Sequence, residues 1–129
     1  MSIRPRHLVI GAAGVAVVGL VAGGAVWAMA DDSDVVRTGT CTTANYEFEV
    51  ESEENDRVEV NLELLAAAVG DQWQVSLSQD GHTLYSGVRV ADDDAEIDVD
   101  VTAADKKSAT YLAEFGPVGQ KPCRVELTR

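Results

Sequence analysis

The residues with the clearest chemical potential in this chain are its two cysteines, Cys41 and Cys123, and the acidic turn formed by Asp92, Asp93, Asp94 and Glu96. A pair of thiols can form a disulfide, hold a metal or stay reduced. No His or second Cys stands at ligand spacing from either, so the metal reading lacks its partners. The acidic turn offers several hard oxygens, which is what calcium requires. Its spacing is not that of an EF-hand loop and the Gly such a loop needs is missing, so a solvated turn competes with a calcium site. His82 is the one histidine after the N-terminal region, and it adjoins a turn signal. No nucleophile elbow, phosphate-binding glycine loop or zinc motif is found. The abundant carboxylates alternate along strand-like segments instead of converging, so the expectation is a non-enzyme without a cofactor.

Which reading of the cysteines holds depends on the compartment, and the N-terminus speaks to that. Leu8 to Ala30 carries no charged residue. As a helix it would reach roughly 34 Å at about 1.5 Å per residue, enough for a bilayer core of about 30 Å. Arg4, Arg6 and His7 precede it without an acid, whereas all 22 acidic residues follow it. Basic flanks stay in the cytoplasm, so residues 1–7 are expected inside and the C-terminal part outside. Two fates remain for residues 8–30. Ala28 and Ala30 suit signal-peptide cleavage after Ala30, which would make the protein secreted. The length of the run and Trp27 at its outer end suit a retained single-pass plasma-membrane anchor. Gly19 and Gly23 form a GxxxG that would let two such helices approach closely.

In an oxidising compartment pairing is the default for two cysteines, so a structural Cys41–Cys123 disulfide is expected. The chain-entropy model gives on the order of 4.5 kcal/mol for a loop of that length. The chain's net charge of −12 excludes a nucleic-acid partner, which needs basic patches, and disfavours anionic lipid headgroups. A soluble acidic surface explains the charge, and adaptation to high salt would look similar.

The elements that must position these groups are strands. Residues 31–40 are polar, contain a Gly and read as an acidic tether. From Cys41 onward, "YEFEVE", "VEVNLEL", "WQVSLS", "IDVDV" and "CRVEL" alternate apolar and polar residues, the two-residue period of sheets with one wet face. Asp80-Gly81 is a tight-hairpin signal, while "LLAAAVG" (64–70) reads as a connection with room for one helical turn. About seven strands result, predicting an all-β sandwich over residues 41–129.

The placement of Trp73 on the third strand, and of Tyr111 two residues before Ala113 on the sixth, resembles the immunoglobulin-like fold. The Asp80-Gly81 hairpin is similar to the fibronectin type III arrangement, in which the third and fourth strands pair. Ala113 stands where the second core cysteine of antibody domains would be, so their inter-sheet disulfide is missing. Ordinary core roles for Trp73 and Tyr111 remain an equal alternative. The resemblance implies that Cys41 at the start of the first strand and Cys123 at the start of the seventh share one end. The tether would enter there, turning the 64–70 and 116–122 connections toward the membrane. The functional expectation is a non-catalytic, membrane-tethered extracytoplasmic module that binds an envelope component. The alternatives are an accessory subunit of a membrane complex, or a secreted acidic protein with a calcium site.

Overall fold

The computed structural model describes residues 34–65 and 67–129, together with the backbone of Trp27–Ala28. Residues 1–26, which hold most of the expected anchor or signal together with Gly19 and Gly23, lie outside the described residues, as does Ala30. The described chain is all-β. Its strands are β1 (Trp27–Ala28), β2 (Val35–Cys41), β3 (Ala44–Glu53), β4 (Arg57–Leu65), β5 (Gln72–Gln79), β6 (His82–Val90), β7 (Ile97–Ala104), β8 (Thr110–Pro117) and β9 (Cys123–Thr128). They form two antiparallel sheets, one in the order β1-β2-β3-β4-β7 and the other β6-β5-β8-β9.

The alternation read from the sequence builds the core directly. Phe48 and Val50 on β3, Val58 to Leu64 at every second position of β4, and Val99 on β7 face inward from the first sheet. Trp73, Val75 and Leu77 on β5, Tyr111, Ala113 and Phe115 on β8, and Val125 and Leu127 on β9 answer from the second. Gln79 is the one buried polar side chain among the described residues, and it is satisfied. Its amide donates to the Ala104 carbonyl at 2.7 Å and to the Tyr111 hydroxyl at 3.0 Å, tying the two sheets together at one end. The Asp80-Gly81 hairpin forms as its sequence demands, with both residues at positive φ (49° and 86°).

One element departs from the sequence expectation. Residues 35–40, read as tether, belong to β2, which pairs with β3 from Val35↔Val50 to Cys41↔Ala44. Its inward positions are Val35, Arg37, Gly39 and Cys41, of which only the first is a plain apolar residue. The strand is held by specific fits instead. The Tyr46 ring lies over Gly39, where an added Cβ would stand 2.7 Å from the tyrosine oxygen. Tyr46 in turn meets the Phe115 ring edge-on at 5.3 Å. The Arg37 guanidinium reaches across the open side of the sandwich and donates to the Glu126 carbonyl on β9 at 2.9 Å.

This extra strand reverses the expected orientation. β2 runs toward the disulfide, so this first long strand enters the sandwich from the opposite end, while the two-residue β1, antiparallel to it, runs toward that same end. There the Asp34 carboxylate accepts a hydrogen bond from the Ser52 amide at 3.2 Å. The β3–β4 turn, the Asp80-Gly81 turn and the β7–β8 loop share this entry end, the last through Asp105 N–H to the Asp56 carbonyl at 2.9 Å. The 67–71 and 118–122 loops lie at the far end, opposite the start of β2. They are joined by the Val118 N–H bonding the Gln72 carbonyl at 3.0 Å. Segment 66–71 contains turns and no helix among its described residues.

Candidate functional site

The far end is organised around Cys41 and Cys123. Cys41 closes β2 and Cys123 opens β9, and the two are bonded, with Cα atoms 6.1 Å apart across a separation of 82 residues. The sheets contributing them are different, so the bridge staples the β2 edge of one sheet to the β9 edge of the other. Beside it an open groove of about 810 Å³ is lined by Arg37, Asn45, Tyr46, Glu47, Leu65 and Arg124, among others. Arg124 is already paired with Glu114 at 3.1 Å and Glu126 at 3.5 Å. Burial raises the Tyr46 pKa, against the pull of the Arg37 charge.

Several exposed apolar side chains gather at this same end. Val69 is 60% exposed, Val118 50% and Leu65 36%. Gly70 N–H to the Ala91 carbonyl and Ala91 N–H to the Asp71 carbonyl, at 3.0 and 2.9 Å, fasten the 67–71 loop to the end of β6. Val90, 56% exposed, is the last residue of that strand. The acidic Asp92–Asp94 turn shares this end, with the Ala67 N–H on the Ala95 carbonyl at 3.0 Å, so the apolar side chains lie beside carboxylates.

The outer face of the first sheet is the opposite extreme. Strand register sets Glu47 opposite Glu63 and Glu63 opposite Asp98, while Glu51 faces Glu59. Like charges placed directly opposite are destabilising. The only Lys or Arg that the register puts on this face among the described residues is Arg57, opposite Glu53 at its margin. Asn61 sits in the middle and donates its side-chain amide to both Asp98 and Asp100. The carboxylates respond by holding protons. Glu49 is pushed up to about 9, first by partial burial and then by Glu51 and its other acidic neighbours. Glu59 and Glu63 rise to about 7 through burial, reinforced by Asp100 and Asp98 respectively. Burial, then the charge of Glu51, raises Glu47 as well.

The other residues singled out in the sequence fall as follows. Trp73, Tyr111 and Ala113 are all buried in the core. Tyr111 spends its hydroxyl on Gln79, and the Trp73 indole N–H has no partner among the described residues. Ala28 contributes backbone to β1, opposite Val35. The Asp92 carboxylate is occupied by its own turn, accepting from the Asp94 and Glu96 amides at 2.9 and 3.0 Å. Asp93 and Asp94 are exposed, and burial followed by Asp92 raises the Glu96 pKa. Among the described residues no three His, Cys, Asp or Glu side chains are arranged to hold a metal ion. His82 is an exposed hairpin residue. Sequence reasoning missed the stacking of carboxylates across three strands, because each strand alone shows only ordinary outward acids. The available signal was the repetition of Glu and Asp at the outward positions of consecutive strands. Comparison with protein-family models, curated proteins and solved structures finds no match.

Proposed function

We propose that this chain is a non-catalytic extracytoplasmic binding module, tethered to the plasma membrane through the apolar run ahead of β1, that presents its disulfide-stapled end to a partner in the cell envelope. The observation carrying this reading is the direction of β2. β2 begins at one end, and the exposed Leu65, Val69 and Val118 lie at the other. A domain tethered at the start of β2 holds these apolar side chains away from the bilayer, where a partner can reach them. The strand order supports an immunoglobulin-like reading of the fold. The order β3-β4-β7 facing β6-β5-β8-β9 is compatible with a fibronectin type III arrangement that has β2 added before it. Sandwiches of this kind host many functions, so the site and not the fold carries the argument.

The acidic faces keep the module soluble and exclude anionic surfaces, leaving the tip as the place where apolar contact is possible. In affinity capture of the intact protein from membranes, the double variant Val69→Lys/Val118→Lys is expected to lose the captured partner. A variant neutralising the acidic face, Glu47→Gln/Glu49→Gln, is expected to keep it. Equal capture by wild type and the tip variant would remove the tip from the reading.

A further inference from the structure

The sheet edges of this domain are not equally protected. The free side of β2 takes β1. β9 lies against β2, with the disulfide at one end and Arg37 on the Glu126 carbonyl. β7 carries Asp98 and Asp100 along its edge. β6, nine residues from His82 to Val90, pairs only with β5 and contains no Asp, Glu, Lys or Pro. Charged side chains, prolines and bulges ordinarily block strand addition. On β6 the charge of Arg89 is turned toward β7 and the register shift against β5 lies at the Asp80-Gly81 end, which leaves the Ser86–Val90 stretch of the edge open.

The two sides of β6 have different chemistry. On its outer face Val88 and Val90 are 50% and 56% exposed, beside the uncharged Gln74 and Gln72 of β5. On its other face the Tyr85 ring covers Gly87, and Arg89 donates to the Asp98 carbonyl at 3.2 Å. Beyond Arg89 come the carboxylates of β7 and of the Asp92–Asp94 turn that follows β6. Side chains of an added strand would alternate between these two environments. We infer that β6 is a docking edge for an extended segment of a partner protein in which apolar residues alternate with Lys or Arg. The apolar set lies along Val88 and Val90, and the basic set points toward the β7 side. A second copy of this chain fits poorly. Its own β6 offers Arg89 as the one Lys or Arg of the strand, so it lacks the alternating basic residues that the β7 side calls for.

This edge rests on the reading of the chain as a binding module and is tested apart from the tip, since Val69→Lys/Val118→Lys leaves β6 unchanged. The probe is a synthetic eight-residue peptide of alternating Val and Lys, added to the full-length protein in neutral detergent at low salt. It is expected to slow amide exchange across residues 82–90 at least tenfold. Its dissociation constant should rise at least tenfold for Val88→Lys/Val90→Lys, whose melting temperature is checked against wild type. The same peptide N-methylated at alternate amides should lose the protection, which keeps the test decisive even if the variant folds poorly. Three results would overturn the inference. One is equal binding to the variant and of the methylated peptide. Another is protection confined to β3, β4 and β7, which is adsorption on the acidic face. The last is protection of β6 that grows with protein concentration without peptide, which makes a second copy the occupant.

Discussion

Replacing Cys41 and Cys123 together by serine is expected to lower the unfolding free energy by about 4 kcal/mol. The bridge closes a loop spanning 82 residues, and the chain-entropy treatment of such a loop gives roughly 4.5 kcal/mol, within the 2–5 kcal/mol usual for small exported domains. The local architecture adds to the effect. β2 is bordered on one side by the two-residue β1 alone, and its inward face is Val35, Arg37, Gly39 and Cys41, so little apolar burial holds it in place. Its hairpin to β3 passes through Thr42 at φ 53°, an uncommon conformation for a β-branched residue. Without the bridge, Arg37 on the Glu126 carbonyl and the edge-on contact of Tyr46 with Phe115 are left to keep the two sheets registered on this side. Urea denaturation of wild type and the double serine variant measures the difference, and amide exchange should show β2 opening first. A loss below about 1 kcal/mol would mean that the reduced chain is already restrained by other contacts.

The second large effect is on pH. Glu49, Glu59 and Glu63 titrate near 9, 7 and 7 in the folded protein, against about 4.3 for an unperturbed glutamate. Folded pKa values raised above the unfolded ones mean that the folded state binds more protons. The stability they contribute is fully present below about pH 4.3 and is lost as pH climbs through 7 and then 9. The groups are partly exposed, so the full conversion of about 1.4 kcal/mol per pKa unit must be reduced for solvent screening. A net loss of about 2 kcal/mol between pH 5 and pH 8.5 is expected, on the order of 10 °C in Tm for a domain of this size. Added salt at pH 8.5 should recover part of it, because exposed like charges are screened. Glu49→Gln/Glu63→Gln should raise Tm at pH 8.5 and flatten the profile. A Tm that is equal at the two pH values, or higher at pH 8.5, would contradict the electrostatic description of this face.

Much of the fold can be read residue by residue. The alternation in β3, β4, β5, β7 and β9 follows from burying one sheet face. The Asp80-Gly81 turn follows from the φ values a two-residue hairpin needs, and Trp73, Tyr111 and Ala113 lie in the core. β2 was not legible because nothing local marks it. Its inward side is an arginine, a glycine and a cysteine, whose value depends on Glu126, Tyr46 and Cys123, between 7 and 89 positions away. Missing that one strand moved the inferred start of the sandwich to the wrong end, since each antiparallel strand reverses the chain. The acidic face escaped for a related reason. Glu47, Glu63 and Asp98 become neighbours only through register, which single strands do not reveal.

The direction of chain entry underlies the proposed function, and the three lysines of the chain report on it. Lys106 and Lys107 lie in the β7–β8 loop at the entry end, and Lys121 in the β8–β9 loop at the far end. A strand of eight residues separates the two ends by roughly 26 Å. With full-length protein in liposomes containing an acceptor lipid, donor dyes are placed on single-lysine variants that keep either Lys107 or Lys121. Energy transfer to the bilayer should be strong from Lys107 and much weaker from Lys121. Equal transfer, or stronger transfer from Lys121, would contradict a domain that holds its disulfide-stapled tip away from the membrane.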